Sequence, residues 1–209
     1  MPPFVGLLGG AVDGASALAE VGETLHATAP VGSVARRELT PRRLEALYEM
    51  AYLRMFIAWE SFLEESFLRF ICGYRGPAGQ PVLRQPALPR IEAARLAVLG
   101  GHDFVSWASP IAVEQRARQY MQNSWHEQVL QAARARLRCF VAVRNRIAHG
   151  SEYARTQFDH STMQLAARRF RGAVPGAFLR SWNAAALPQE RWLSTIGSEL
   201  KLLSLQVVP

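Results

Sequence analysis

The segment from Thr40 to Gly73 contains no proline after Pro41 and no glycine before Gly73. Within it, Leu44, Tyr48, Ala51, Met55, Trp59, Phe62, Ser66 and Phe70 recur at intervals of three and four. That spacing lines one face of an α-helix. Thr40 suits the N-cap, proline is favoured at the first helical position, and Gly73 is a natural stop. At about 1.5 Å per residue such a helix spans a whole domain. An element this long commits the chain to layers of packed helices.

The remaining punctuation fits that architecture. Residues 1–35 are rich in Gly, Ala and Pro, and one weak helix is expected between Asp13 and His26, before a break at Pro30, Gly32 and Ser33. Residues 74–110 are interrupted by Gly76, Pro77, Gly79, Pro81, Pro86 and Pro89, and read as an irregular insertion holding one short helix from Arg90 to Leu99. Ser109-Pro110 opens a helix reaching about Asn123. Ser124, with Glu127 three residues on, reads as a capping box for a helix from Trp125 to Ala148. Asp159 or Ser161 is expected to open another, ending near Arg171. A break from Gly172 to Pro175 follows, and a last helix runs from Pro188-Gln189-Glu190 to about Leu205. No alternating strand pattern of useful length, internal repeat or nucleotide-binding glycine loop is visible. The expected fold is all-α, an up-and-down bundle with short extra helices at the termini and in the insertion. The expected organisation is an arm or extra helix over 1–35, a bundle over 36–172 and a helical extension over 173–209.

Hydrophobic residues make up 49% of the 209-residue chain, enough for one well-cored domain. The net charge is +7, and of 24 basic residues only Lys201 is a lysine. Arginine presents a planar fork that grips phosphate, so the bias suits a nucleic-acid partner, although a GC-rich genome produces it equally well. Cys72 and Cys139 belong to no C-x-x-C or Cys/His cluster. They read as small buried hydrophobes, and neither metal nor cofactor is expected. The N-terminus has no basic n-region and carries Asp13, Glu20 and Glu23 early, unlike a secretory signal. No run reaches the roughly 18 apolar residues of a membrane span. The expected location is the cytoplasm.

One stretch carries chemistry: Val143-Arg144-Asn145-Arg146-Ile147-Ala148-His149-Gly150. An Arg followed by a His after four to six residues also occurs at Arg95/His102 and Arg155/His160, and roughly one or two such pairs arise by chance. Context separates them. On a helix through Leu130, Ala133, Leu137, Phe140 and Val141, Arg144 falls in the apolar stripe, where a guanidinium is costly unless paired or used. Arg146 is expected to face solvent. His149 precedes Gly150, at a helix C-terminus whose macrodipole favours a positive charge. Arg95 is separated from His102 by Gly100-Gly101, and Arg155 is expected in a loop.

Arg144, Asn145 and His149, with four residues between the arginine and the histidine, resemble the motif of the HEPN superfamily (higher eukaryote and prokaryote nucleotide-binding). Phe56-Ile57-Ala58-Trp59-Glu60-Ser61-Phe62-Leu63-Glu64-Glu65 is similar to the early helix of its bacterial branch found near phage-defence and toxin systems, of the RiboL-PSP type or a related subgroup. The resemblance covers about residues 40–170. It implies a four-helix-bundle ribonuclease that acts as a homodimer without metal, with two motifs meeting in one cleft. It implies His149 as general acid or base towards a 2′-hydroxyl, Arg144 as the stabiliser of phosphoryl charge, and Asn145 as an orienting or phosphate-holding group. The products implied are a 2′,3′-cyclic phosphate and a 5′-hydroxyl. Members inactivated by nucleotidylation carry a tyrosine two residues after the histidine. Here that position is Ser151, and the nearest tyrosine is Tyr153.

Glu60 is a supporting candidate, on a second apolar strip with Phe56, Leu63 and Phe67. Glu64 and Glu65 compete for the role, and a surface glutamate is the plain alternative. Arg134, Arg138 and Arg146 form a candidate RNA-binding track, and Arg168, Arg169 and Arg171 another cluster, though solvated helix faces explain both equally. His126 reads as a structural histidine, and His102-Asp103 as loop. The leading expectation is an RNA endonuclease of the toxin or defence kind, restrained by an antitoxin or regulatory protein. The rival is a non-catalytic helical dimer that binds nucleic acid, a nucleotide or a partner protein. A helix-turn-helix regulator is disfavoured.

Overall fold

The computed structural model describes residues 3–76 and 78–209, so Pro77, expected as a breaker, and the first two residues of the N-terminal arm lie outside it. The chain is mostly helical, 70% by residue, with ten helices among the described residues. In order these are α1 (Pro3–Thr28), α2 (Val34–Glu38), α3 (Pro41–Ile71), α4 (Ile91–Leu99), α5 (Pro110–Tyr120), α6 (Trp125–Ala132), α7 (Arg134–Ala148), α8 (Glu152–Ala166), α9 (Pro175–Arg180) and α10 (Trp192–Val207). Two short antiparallel pairs complete the set. Strand β1 (Val82–Leu83) pairs with β2 (Met121–Gln122), and β3 (Trp182–Asn183) with β4 (Glu190–Arg191).

The helix ends follow from local chemistry. Thr40 accepts from the Arg43 amide, Ser109 from Ala112 and Ser124 from Glu127, each satisfying an amide that has no partner inside the helix. The Glu127 carboxylate turns to Arg118 Nε at 2.6 Å. Past α3, Gly73 takes a left-handed conformation while the Tyr74 amide reaches back to the Arg69 carbonyl, a Schellman closure.

Four expectations are corrected. Helix α1 begins at Pro3, well before Asp13, and runs for 26 residues. The helix expected over Trp125–Ala148 is interrupted at Ala133 (φ −90°, ψ 4°). No glycine or proline marks that break. The tertiary contact beside it is Arg134 on Glu114. Helix α8 starts at Glu152, not at Asp159 or Ser161, because Ser151 caps it by accepting from the Ala154 amide at 3.2 Å. Arg155 therefore lies in a helix and not in a loop. The last helix starts at Trp192, since Glu190 and Arg191 pair as β4.

The chain divides into two compact units, one comprising residues up to Leu8, Trp59–Arg138 and Lys201–Pro209, the other Gly9–Ala58 and Cys139–Leu200. The first unit is built on the second half of α3. Phe67 sits between Trp107 (5.4 Å) and Tyr120 (5.9 Å), and Phe70 against Trp125 (5.7 Å). His126 is buried edge-on to both phenyl rings, with Nε2 2.8 Å from Ser66 Oγ. Ser66, on the apolar face of α3, thus has a buried partner. The aromatic residues of this half-helix, Trp59, Phe62, Phe67 and Phe70, are core.

The second unit buries Leu44, Tyr48, Ala51, Tyr52, Met55 and Phe56 of α3 with Phe140 and Val143 of α7. Tyr52 donates its hydroxyl to the Phe140 carbonyl at 2.8 Å, and complete burial raises its pKa far above the ordinary value. Phe178 stacks on Trp192 (5.2 Å) and meets Phe158 and Phe170 edge-on. Gly176 is obligatory here. A Cβ would lie 2.7 Å from Glu45 Cα and closer still to its carbonyl oxygen.

Helix α1 modifies the membrane expectation. Its Phe4–Thr28 stretch is long and apolar enough to cross a bilayer by length and composition. Within the second unit, however, its Val12, Ala15, Ala19 and Gly22 stripe is buried. Its Glu23 is held by Arg180 and Arg191. Over the whole apolar window, 28% is buried.

Candidate functional site

Helix α7 carries Arg144 and Asn145 in its last turns and delivers His149 just past its end. Arg144 and Asn145 are half-buried and His149 is exposed. Arg144 Nη1 donates to Asn145 Oδ1 at 3.4 Å, a long bond. The His149 amide donates to the Asn145 carbonyl at 2.8 Å, so the helical hydrogen-bond pattern extends through the histidine. The contact shown between His149 and Asn145 is this backbone bond.

The corrected start of α8 alters the setting of the histidine. Only His149 and Gly150 separate α7 from Ser151, the N-cap of α8. His149 therefore stands in a tight turn between two helices and not at the start of a loose loop. Its imidazole makes no side-chain hydrogen bond among the described residues and is open to solvent. What this arrangement offers chemically is an accessible imidazole at the end of the helix whose last turns carry a guanidinium and a carboxamide. That set can move a proton and neutralise an anion.

The arginines of the proposed track have different fates. Arg138 is exposed on α7. Arg134 Nε donates to Glu114 Oε1 at 3.0 Å and its Nη2 contacts the other oxygen. Glu114 is only 2% exposed, so this fork neutralises a buried carboxylate, and the hydrogen bond raises the arginine pKa further. Arg146 does not point freely to solvent. It is half-buried, with Nε donating to the Ala173 carbonyl at 3.1 Å and Nη1 reaching the His149 carbonyl at 3.4 Å.

Glu60 is half-buried on α3. Glu64 and Glu65 make ion pairs within the first unit. Glu64 meets Arg95 at 3.2 Å, and Glu65 meets Arg69 at 3.1 Å and Arg95 at 3.8 Å. His126 is the structural histidine expected from its position, and burial pushes its pKa down to about 3. Cys139 is buried and Cys72 half-buried, with burial raising the Cys72 pKa. Among the described residues no group of three His, Cys, Asp or Glu side chains has the arrangement of a metal site.

A cluster in the second unit was not anticipated from the sequence. Arg180 grips both oxygens of Glu23, at 2.6 and 3.2 Å, and Arg191 adds a contact at 3.4 Å. Burial works to raise the Glu23 pKa, but the Arg180 hydrogen bond and the two positive charges prevail and hold it below the ordinary value. Tyr48 shares the site, and its phenol is raised by burial first and by Glu23 next. With Glu23 and Arg180 157 positions apart, no local pattern announces this pairing.

No family model, curated protein or solved structure matches the chain. The functional reading therefore rests on the residues themselves.

Proposed function

We propose that the protein is a metal-independent endoribonuclease of the kind the HEPN resemblance implies, acting as a cytoplasmic homodimer on a four-helix-bundle scaffold. The observation that carries this reading is that His149 is exposed just past the end of α7, four residues after Asn145 and five after Arg144. His149 takes the proton of an RNA 2′-hydroxyl as that oxygen attacks the adjacent phosphorus. The phosphorus–oxygen bond to the 5′-oxygen breaks, and the leaving oxygen takes up a proton. The products are a 2′,3′-cyclic phosphate and a 5′-hydroxyl, with no net proton change. Arg144 stabilises charge on the non-bridging oxygens and Asn145 orients the histidine or holds a phosphate. Arg138 is the arginine of the track best placed to touch RNA, and Glu60 is a supporting carboxylate. An antitoxin or regulatory protein would restrain such an activity in the cell.

RNA cleavage in EDTA by wild type, His149→Ala and Arg144→Ala tests this reading, with analysis of the product ends. Cleavage that survives chelation, leaves cyclic phosphates and falls at least about a hundredfold in His149→Ala is the expected result, the usual scale for a general acid–base group. Equal activity in wild type and both variants would remove the assignment.

A second reading has its own observation. Arg134 and Arg146 serve internal contacts and not an open basic surface. That weakens the RNA track and so favours the rival reading, a non-catalytic helical dimer that binds nucleic acid, a nucleotide or a partner protein, in its nucleotide or partner-protein form. Nucleotide or partner-protein binding by wild type, with no RNA products over long incubation, would select this reading.

A further inference from the structure

The second unit contains a cavity of about 720 Å3 on the side of the β3–β4 pair, within the range of small-molecule sites. Strand register sets Trp182 opposite Arg191, and the guanidinium carbon lies 4.6 Å from the indole centroid, covering one face. Arg191 is itself fixed, donating to the Arg180 carbonyl and contacting Glu23. The indole borders the cavity and is 51% exposed. An aromatic plane backed by an immobilised cation is a rigid stacking platform.

The end of α8 provides a second wall. Arg168 there stacks over the Phe170 ring at 4.6 Å and pairs with no carboxylate among the described residues. Arg180 and Arg191 share the one carboxylate of Glu23, and Glu45 also lines the cavity near Arg180, so the cluster keeps a net positive charge and Arg168 is the cation in it engaged by no carboxylate among the described residues. Gln164 also lines the cavity. Its Oε1 accepts from Cys139 Sγ, which leaves the amide NH2 as a donor.

We propose that this cavity binds a nucleotide, its base stacked on Trp182 and its phosphate gripped by Arg168. The chemistry required is a planar ring bearing an anion at mononucleotide size. Two sources supply it: a free mononucleotide, or an unpaired nucleotide within an RNA strand. Only the second source rests on the cleavage reading.

The test uses the full chain and isothermal titration with AMP, UMP, inorganic phosphate and a 2′-O-methylated oligoribonucleotide, which has no 2′-hydroxyl to react. Saturable binding of a nucleotide, weakened about tenfold or more in Trp182→Leu and in Arg168→Gln, is expected, with affinity largely restored in Trp182→Phe. Both positions are exposed, so circular dichroism and Tm should match wild type. Tight binding of AMP or UMP identifies a free nucleotide. Binding of the oligonucleotide alone, with the same losses, identifies an RNA strand. The proposal is overturned if neither probe saturates, if phosphate alone binds as tightly as the nucleotides, or if both variants bind like wild type. Nucleotide binding that persists while RNA is never cleaved removes the ribonuclease reading and leaves this one standing. Intact cleavage without binding at Trp182 does the reverse.

Discussion

Arg146 Nε donates to the Ala173 carbonyl at 3.1 Å, fastening the last turns of α7 to the 3-10 turn Arg171–Ala173 that precedes α9. This arginine sits between Asn145 and His149 in the sequence, and its task is to hold the frame that presents them. Replacing Arg146 by Ala should lower stability by about 1 kcal/mol in denaturant titrations, the net scale of one such hydrogen bond. Arg146→Lys should recover little, because an ammonium lacks the planar fork that reaches two carbonyls. Unchanged stability with weakened RNA affinity would return Arg146 to the role of a surface contact.

Ser151 caps α8 two residues after His149. Ser151→Ala should cost about 1 kcal/mol, while Ser151→Asp should retain most of the stability. Faster amide hydrogen exchange over residues 149–155 in the alanine variant would show that the cap fixes the turn carrying the histidine. Exchange identical to wild type would show that the turn is held by other contacts.

Burial keeps His126 neutral, with its pKa lowered from 6.5 to about 3. In the unfolded chain the imidazole regains its ordinary pKa, so below pH about 6.5 the unfolded state binds a proton that the folded state refuses. Stability is therefore complete above that pH and falls as pH drops, by at most roughly 1.4 kcal/mol per unit, until the folded histidine titrates near 3. His126→Gln should flatten that decline while costing stability at neutral pH. A wild-type profile flat between pH 6 and 4 would contradict the burial.

Glu23 gives the same sign at lower pH. Its carboxyl is held below the ordinary 4.5, so its contribution is present above that value and is lost as pH falls through the lower folded pKa. Glu23→Gln should cost about 2 kcal/mol, less than a fully buried pair, because Arg180 and Arg191 lose their shared counter-charge. The acid limb of the stability curve should shrink below pH 4.5 in this variant and persist in His126→Gln. If both variants show the same acid limb as wild type, neither group controls it.

Much of the fold was legible because its cues are local. The three-and-four recurrence from Leu44 to Phe70 fixed α3, and the hydroxyls of Thr40, Ser109 and Ser124 marked helix starts where the structure has them. Ser151 carries the same cue, and its cap sets the start of α8 at Glu152 and puts Arg155 in a helix. The break at Ala133 had no local cue, since alanine favours helix and the adjacent contact reaches back to Glu114.

At the candidate site, the sequence by itself placed Arg144, Asn145 and His149 within two turns of one helix end, because helical periodicity is set by backbone geometry alone. Only the tertiary structure decided which charges remain available. Arg134 closes on the buried Glu114, Arg146 on the Ala173 carbonyl, and Arg180 on Glu23. It also decided that Trp182 and Arg191 stack beside a cavity across the β3–β4 register. The three arginine pairings join residues at least 20 positions apart, and the cost of leaving a charge or polar group buried without a partner is what selects them.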